Sequence, residues 1–304
     1  MKYNNLHLHL TDNEPFRLES STAPGITAAE HYSKAGIADL VALAGRYRIT
    51  VIPKIDMPSH LGALLANPSY TNLALDPAGA RGAIDISNPR ARALLRSLVA
   101  EYLPLFPGPY FSIGADEYIT NHAKYPPLQA YARTCNAGAT PKDAFYCFAD
   151  DMASFLRQRG KATRIWNDAL TAEAHAIPLD RTIVIDYWIG TVTGPGHLPP
   201  LDPNAVAAHG NKVINASWHA SINGTVYITL YYVVRDTPRP APSPMYELWN
   251  TTMFDGGRTL TANLAGSQFN IWCDQPTAET EDQVADGIWP DLRVLAQKTW
   301  GHHS

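Results

Sequence analysis

Cysteine and long apolar runs are scarce in this sequence, and their scarcity excludes several protein classes. The chain has 304 residues but only three cysteines, Cys135, Cys147 and Cys273, and none of them belongs to a Cys-x-x-Cys pair of the kind that holds structural zinc. We expect all three to be small buried apolar residues, with a Cys135–Cys147 disulfide as the alternative. No stretch reaches the roughly 18 uninterrupted apolar residues of a membrane helix, so we expect no membrane partner.

Charge of either sign is also sparse. Charged residues make up 17% of the chain, and 24 Lys and Arg against 28 Asp and Glu leave a net charge of −4. This mild acidity gives no electrostatic reason to expect nucleic acid as a partner. Because 45% of the residues are hydrophobic, the composition is that of a folded globular protein and excludes disorder as the main state.

Short apolar runs alternate with longer amphipathic stretches along the whole chain. The runs predict seven parallel strands, at residues 5–10, 50–55, 110–113, 163–166, 182–188, 212–215 and 267–272. Apolar residues at helical spacing predict helices over residues 37–47, 89–102, 142–159 and 281–300, the second beginning with Pro89 after Asn88.

This alternation predicts an α/β fold. At this length a (β/α)8 TIM-type barrel is favoured over an open sheet, with about seven β/α units and the first strand lacking. We predict a single catalytic domain over residues 1–304, in which the Pro-rich segments 194–203 and 237–244 are loops.

Polar and aromatic residues follow six of the predicted strands or segments. In a barrel, the carboxyl ends of the strands form the active-site face, so these residues are expected to converge. A Tyr-rich segment over residues 227–232 adds a further contribution. The residues at the strand ends are His7, His9, Asp12, Asp56, His60, Asp116, Glu117, Trp166, Asp168, Trp188, Trp272 and Asp274.

Asp116 and Glu117 are the clearest pair for acid–base chemistry. Two adjacent carboxylates in a cleft repel each other, which favours a proton on one of them and suits a general acid. Adjacent residues of a regular strand face opposite sides, so both serve one site only if the strand has ended, as the preceding Gly114-Ala115 allows. The alternative is an exposed Asp-Glu pair in a loop.

His7-x-His9 resembles the metal site of amidohydrolase barrels, but a metal role is disfavoured. Those barrels also need histidines at later strand ends, where this chain has Trp166 and Trp188, which cannot bind metal. We expect His9 to be a hydrogen-bonding core residue and predict no metal. The tryptophans at strand ends suit stacking on sugar faces, with core packing as the alternative.

Three motifs together resemble the catalytic domain of family 20 glycoside hydrolases, the β-N-acetylhexosaminidases and lacto-N-biosidases. They are Leu-His-Leu-His-Leu-Thr-Asp over residues 6–12, Ile-Pro-Lys-Ile-Asp-Met-Pro-Ser-His over 52–60 and Ser-Ile-Gly-Ala-Asp-Glu over 112–117. The order of Trp166, Trp188 and Trp272-Cys-Asp274 is similar too, so the resemblance spans nearly the whole chain.

The resemblance implies substrate-assisted retaining catalysis without a cofactor, an exception to the two-carboxylate scheme. The acetamido oxygen of the substrate attacks the anomeric carbon and forms an oxazolinium intermediate. Glu117 is the implied acid and base, and Asp116 the implied partner of the acetamido N–H. Asp12 and His60 are implied to form a hydrogen-bonded pair behind Glu117. The implied substrate-binding residues are Trp166, Trp188 and Trp272 around the acetamido group, Tyr231 at its oxygen and Asp274 at the outer hydroxyls.

The chain also departs from the family's pattern. Lys54 stands where the family usually has Glu, Ser59 where it has Gly and Ser112 where it often has His. The family's first strand, which carries an arginine that binds the 3- and 4-hydroxyls, is missing. We therefore expect this sequence to be an N-terminally incomplete reading of the family's domain. The sequence does not determine the cellular compartment; a signal peptide upstream of this start would make the protein extracellular.

The resemblance thus predicts an enzyme that removes terminal β-linked GlcNAc or GalNAc from glycans. One alternative stays within the family and is the release of a disaccharide such as lacto-N-biose. The other is an inactive glycan-binding remnant that keeps the tryptophans but lacks the arginine. An enzyme and a glycan-binding remnant differ in their dependence on Glu117, which controls turnover in the enzyme and at most binding in the remnant.

Overall fold

The computed structural model describes residues 2–77, 82–192, 198–222, 226–235 and 245–300. These residues form two compact units. The first unit comprises Asn4–Ala169 and Glu173–Ile183, and the second comprises the described residues of Met1–Tyr3, Leu170–Ala172 and Val184–Ser304.

The first unit is built on four parallel strands. Its elements are β1 (Asn5–His9), β2 (Phe16–Leu18), β3 (Thr27–Tyr32), α1 (Lys34–Arg46), β4 (Thr50–Met57), α2 (Gly62–Leu65), α3 (Pro89–Tyr102), β5 (Tyr110–Gly114), α4 (Pro126–Cys135), α5 (Asp143–Arg157) and β6 (Ala162–Trp166), with short 3-10 turns at Thr71–Leu73, Leu103–Leu105 and His122–Lys124. The four strands pair as β1 with β4, β4 with β5 and β5 with β6, while β2 and β3 form a separate parallel pair.

Local sequence explains how the helices of this unit begin and what they bury. The Asn88 side chain caps α3 by accepting a hydrogen bond from the backbone of Arg90, and Pro89 occupies the first helical turn. Helix α3 buries one apolar face, α5 is buried on all sides over residues 143–149, and β4 is buried along nearly its whole length. Fully buried apolar side chains of this unit include Leu95, Leu98, Phe111, Ile113, Phe145, Phe148 and Ile165.

The second unit contains three further parallel strands. Its elements are β7 (Val184–Tyr187), α6 (Pro203–His209), β8 (Lys212–Asn215), β9 (Ala220–Ile222), β10 (Val226–Ile228), β11 (Tyr231–Val234), α7 (Met245–Leu248), β12 (Met253–Phe254), β13 (Arg258–Thr259), β14 (Leu264–Ser267), β15 (Asn270–Cys273) and α8 (Glu281–Thr299). Strand β8 pairs with β7 on one side and β14 on the other, and β11 and β15 form a separate parallel pair. Two antiparallel pairs, β9 with β10 and β12 with β13, lie between β8 and β14 in sequence.

The predicted strands and helices match the structure at most positions, and the last strand is the main error. The predicted strand 267–272 straddles β14 and β15, which are separate elements with different partners. The backbone leaves β14 at Ser267, and the amide of Asn270 then donates to the carbonyl of Leu230. An apolar run does not indicate where a strand changes its pairing partner, so the pattern predicted one strand where the structure has two.

The structure describes part of the first Pro-rich segment and none of the second. Helix α6 begins at Pro203, the last residue of the predicted loop 194–203, and residues 194–197 of that loop lie outside the described part of the chain. The segment 237–244 also lies outside the described residues. Among the helices that the structure describes, none is long and apolar enough to cross a membrane.

The expectation of three buried thiols is wrong. Cys135 at the end of α4 and Cys147 in α5 form a disulfide, with their Cα atoms 6.2 Å apart, and Cys273 is an exposed free cysteine. The disulfide forms because α4 and α5 pack against each other and bring the last residue of α4 beside the first turns of α5.

Removing this disulfide is expected to lower the free energy of unfolding by about 2–4 kcal/mol, because a crosslink that closes a loop of this size restricts the unfolded chain. The double variant Cys135→Ser/Cys147→Ser, compared with wild type by urea denaturation, measures this loss. The matched control is Cys273→Ser at the exposed free cysteine, which is expected to leave the unfolding curve unchanged. Equal stability of the double variant and wild type would contradict the assignment.

Candidate active site

Asp116 and Glu117 lie just beyond the end of β5, where the backbone leaves the strand. Gly114, Ala115 and Glu117 have φ of +65°, +63° and +50°, in the left-handed region that non-glycine residues seldom adopt. A Cβ at position 114 would overlap the carboxylate of Asp56, so glycine is required there. The turn ends the strand alternation that would otherwise place the two carboxylates on opposite faces. Asp116 is largely buried, with 15% of its side chain exposed, whereas Glu117 is 58% exposed.

A chain of histidine and carboxylate contacts stands behind these two residues. His9 Nε2 lies 3.0 Å from Asp12 Oδ2, and His60 Nδ1 lies 2.9 Å from Asp12 Oδ1. The other ring nitrogen of His60, Nε2, lies 3.4 Å from Asp116 Oδ2 and 3.5 Å from Glu117 Oε2. His60 therefore connects Asp12 to both residues of the pair.

The pKa values of Asp12 and His60 shift in opposite directions. Burial by itself raises the pKa of Asp12, but hydrogen bonds from His60 and His9 outweigh it and hold that pKa well below its usual range. Burial by itself lowers the pKa of His60, but the contacts with Asp12 and Glu117 raise it to about 11. At neutral pH the pair is therefore a carboxylate and an imidazolium, and the imidazolium faces Asp116 and Glu117.

Backbone contacts hold the loop that carries Asp116 and Glu117. The Glu117 amide donates to Asp168 Oδ2 at 2.7 Å, and Asp168 follows β6. The Ser59 hydroxyl donates a short hydrogen bond to the main-chain carbonyl of Asp116. Ser59, one of the departures from the family's pattern, thus supports the position of Asp116.

Trp166, at the end of β6, is buried and packs within the first unit. Its ring stacks on that of His7, with centroids 6.4 Å apart and an interplanar angle of 20°. Only 3% of the residue is exposed. The Trp166 ring therefore contributes to the packing beneath the ends of β1 and β6.

The second unit contains its own aromatic group. The Trp218 ring lies 4.7 Å from that of Tyr231 and 6.3 Å from that of Trp188. Trp188, Trp218 and Trp272 all pack, partly buried, against a core cluster that includes Tyr231. The neighbouring Tyr232 donates its hydroxyl to Glu279 instead. Asp274 is exposed.

Trp218 was missed by the sequence analysis, although the same kind of signal was present. It lies three residues after the end of β8, while Trp166 is the last residue of β6 and Trp188 directly follows β7. The predicted strand over residues 212–215 ends three residues before Trp218, so its carboxyl end is the signal that points to this side chain.

One group of donors in the first unit has the spacing of a metal site. Ligand atoms of His9, Asp12 and Asp56 all lie within 4.8 Å of one another. Two of the three residues already contact a cation of the chain itself, because the Lys54 ammonium lies 3.1 Å from His9 Nδ1 and 2.9 Å from Asp56 Oδ2. The donor set therefore fits its own lysine rather than calling for a metal ion.

Stability is expected to depend on pH through His60. Because the pKa of His60 is raised from 6.5 to about 11, its contribution to folding is fully present below pH 6.5 and is lost as the pH rises toward 11. His60→Asn suits the test, since asparagine tolerates the φ of +55° at this position. Urea unfolding is expected to show a larger stability difference between wild type and variant at pH 6 than at pH 9.

The control for this measurement is His31→Asn, which replaces an exposed histidine of the same unit. A difference between wild type and His60→Asn that is equal at both pH values would contradict the imidazolium assignment.

Comparison of the sequence with curated proteins gives two informative relatives. The chain is 32% identical over 279 residues to a lacto-N-biosidase of Bifidobacterium bifidum, covering 89% of this chain and 23% of that protein. It is 31% identical over 322 residues to beta-hexosaminidase subunit A2 of Dictyostelium discoideum, covering 98% of this chain and 52% of that protein. The chain thus spans about a quarter to a half of the length of these relatives.

Comparison with solved structures shows the fold. Dispersin B superposes with a TM-score of 0.77 at 21% identity, covering 98% of this chain and 91% of that chain. A β-N-acetylhexosaminidase from Bacteroides fragilis superposes with a TM-score of 0.72 at 20% identity, over 99% of this chain and 61% of that chain. Together with four parallel strands in one unit and three in the other, these likenesses confirm the prediction of a TIM-type barrel that lacks one strand.

The family model of the glycosyl hydrolase family 20 catalytic domain matches residues 1–303. Its match extends over almost the whole chain, including the loops that carry Asp12, His60, Asp116 and Glu117. The chain therefore belongs to glycosyl hydrolase family 20.

Proposed function

We propose that this chain is a retaining β-N-acetylhexosaminidase domain that releases terminal β-linked GlcNAc or GalNAc. The observation that carries the proposal is the placement of Asp116 and Glu117 together beyond β5, both within 3.5 Å of the His60 ring. A proton donor beside a second, fixed carboxylate suits a substrate whose own acetamido group is the nucleophile.

In the proposed first step, the acetamido oxygen of the substrate attacks the anomeric carbon, and the bond from that carbon to the leaving oxygen breaks. Glu117 gives its proton to the leaving oxygen. Its exposed side chain suits this role, because the leaving group is the part of the glycan that extends into solvent. Asp116 accepts a hydrogen bond from the acetamido N–H and offsets the positive charge of the oxazolinium.

In the proposed second step, the ionised Glu117 removes a proton from water, and the water oxygen attacks the anomeric carbon. The carbon–oxygen bond of the oxazolinium ring breaks, and the acetamido group is restored with retained configuration. Asp12 holds the His60 ring at 2.9 Å, and this ring lies 3.5 Å from the Glu117 carboxylate, so the pair supports the position of Glu117 through both steps.

The remaining proposed roles concern sugar binding. We propose Trp166, Trp188 and Trp272 as residues around the acetamido group, Tyr231 as the donor to its oxygen and Asp274 as the residue for the outer hydroxyls. The contact of Tyr231 with Trp218 supports adding Trp218 to this group. The implied partners are therefore glycans that contain N-acetylhexosamine.

A second candidate is lacto-N-biosidase activity, favoured by the 32% identity to the Bifidobacterium enzyme of that name over 89% of this chain. Three aryl glycosides separate the candidates: β-N-acetylglucosaminide, β-glucoside and β-lacto-N-bioside. The proposal predicts turnover of the first and none of the second. Turnover of the third alone would assign the disaccharide activity, and binding without turnover of any would assign a glycan-binding remnant.

A further inference from the structure

Lys54 places a buried ammonium directly beneath the carboxylate pair. It lies in the buried strand β4, and only 2% of the residue is exposed. Its Nζ lies 2.8 Å and 2.9 Å from the two carboxylate oxygens of Asp56 and 3.1 Å from His9 Nδ1. A buried charge is costly unless it is paired and hydrogen-bonded, and these contacts satisfy that requirement.

The same ammonium also faces the proposed partner of the acetamido group. Lys54 Nζ lies 3.8 Å from Asp116 Oδ1, and it lies 5.7 Å from the centroid of the Trp166 ring. Asp56 and Asp116 approach each other across Gly114, where a Cβ would meet both carboxylates. Lys54 is thus the cation that lies between these two acids.

Carboxylates and imidazoles surround the Lys54 ammonium, and two cationic groups contact different oxygens of Asp116. The carboxylates that face this region are Asp12, Asp56, Asp116 and Glu117, and the imidazoles are His9 and His60. His60 contacts the Oδ2 side of Asp116, and Lys54 is nearest to the Oδ1 side. Burial lowers the pKa of Lys54, but Asp116 and Asp56 raise it above its ordinary value, so the ammonium stays charged.

We infer that Lys54 is a positioning residue that holds the Asp116 carboxylate in place for the acetamido group of the substrate. This inference rests on the proposed function. The alternative is that Lys54 only compensates the buried charge of Asp56 and has no effect on the reaction.

Two variants distinguish these roles. Lys54→Met removes the charge but keeps the length of the side chain, and it leaves Asp56 buried without its cation. Lys54→Met/Asp56→Asn replaces both buried charges with neutral groups and so removes the structural penalty. If Lys54 acts on Asp116, both variants are expected to have a lower kcat than wild type, although the double variant folds normally.

For the double variant, kcat on an aryl β-N-acetylglucosaminide is expected to fall by about 10–100-fold, because the carboxylate that supports the transition state is no longer held in position. KM is expected to change less than kcat. Because this variant loses one positive and one negative charge beside Asp116, its kcat–pH profile is expected to stay close to that of wild type.

The matched control is Lys161→Met, which makes the same chemical change just before β6, at the opposite end of that strand from Trp166. It is expected to keep the wild-type kcat and pH profile. A double variant with the wild-type kcat would overturn the inference and leave Lys54 as the counter-charge of Asp56 alone.

Failure of the proposed function gives a different result, because wild type itself would then not turn over the N-acetylglucosaminide. A crystal structure of the double variant tests the inference even in that case. We expect the Asp116 carboxylate to leave its present position, and an unmoved carboxylate would overturn the inference.

Discussion

Glu117→Gln is expected to lower kcat on an aryl β-N-acetylglucosaminide by about 10²–10⁴-fold, the range that general acid–base catalysis contributes. Glutamine keeps the size of the side chain but has no acidic proton to give to the leaving oxygen. The hydrogen bond from the backbone amide of residue 117 to the Asp168 carboxylate does not involve the side chain of residue 117, so we expect the variant to retain it. Steady-state kinetics on purified wild type and variant measures the loss.

Folding and the choice of substrate provide the controls for this variant. Glu117 is 58% exposed, so the urea unfolding curve of Glu117→Gln is expected to match that of wild type. Glu30→Gln, at a carboxylate that is 93% exposed, makes the same chemical change on the surface and is expected to leave kcat unchanged.

The loss of kcat in Glu117→Gln is expected to be larger for substrates with alkyl leaving groups than for those with aryl leaving groups, because an alkoxide needs the proton more. Equal kcat values for wild type and Glu117→Gln would refute the acid assignment.

Asp116→Asn is expected to lower kcat on the same substrate by about 10²–10³-fold, comparable to the loss of one preorganised electrostatic contact at the reacting centre. Asparagine can still accept a hydrogen bond from the acetamido N–H but carries no charge to offset the oxazolinium. The His60 imidazolium and the Lys54 ammonium lie 3.4 Å and 3.8 Å from this residue and then lack their shared counter-charge. Steady-state kinetics again gives the result.

The matched control for this variant is Asp76→Asn. Asp76 is half-buried and pairs with the exposed Lys124 at 2.9 Å, and its replacement is expected to leave kcat near the wild-type value. An Asp116→Asn enzyme that is as fast as wild type would show that the carboxylate at position 116 does not support the reaction.

The sequence predicted the parallel strands and the strand-end residues because both depend on local patterns. Alternation of apolar runs with amphipathic helices is readable from one sequence, and Asp116-Glu117 directly follows such a run. The Asp12–His60 contact came from the resemblance, and the structure places these side chains 2.9 Å apart although they are 48 residues apart in sequence.

Other features depend on long-range contacts and could not be predicted in this way. The disulfide requires the packing of α4 on α5, and the separation of β14 from β15 requires a change of pairing partner. Lys54 appeared in the sequence only as a departure from a motif. That its charge is buried between two carboxylates and an imidazole follows from the register of β1, β4 and β5, which a single sequence does not show.

The most direct test of this account varies the nucleophile that the substrate is proposed to supply. Aryl β-glucosaminides with N-acetyl, N-fluoroacetyl, N-difluoroacetyl and N-trifluoroacetyl groups have amide oxygens of decreasing nucleophilicity. If the acetamido oxygen attacks the anomeric carbon, kcat falls steeply along this series in the wild-type chain. A kcat that is the same for all four substrates would contradict substrate-assisted catalysis and would require a nucleophile from the protein.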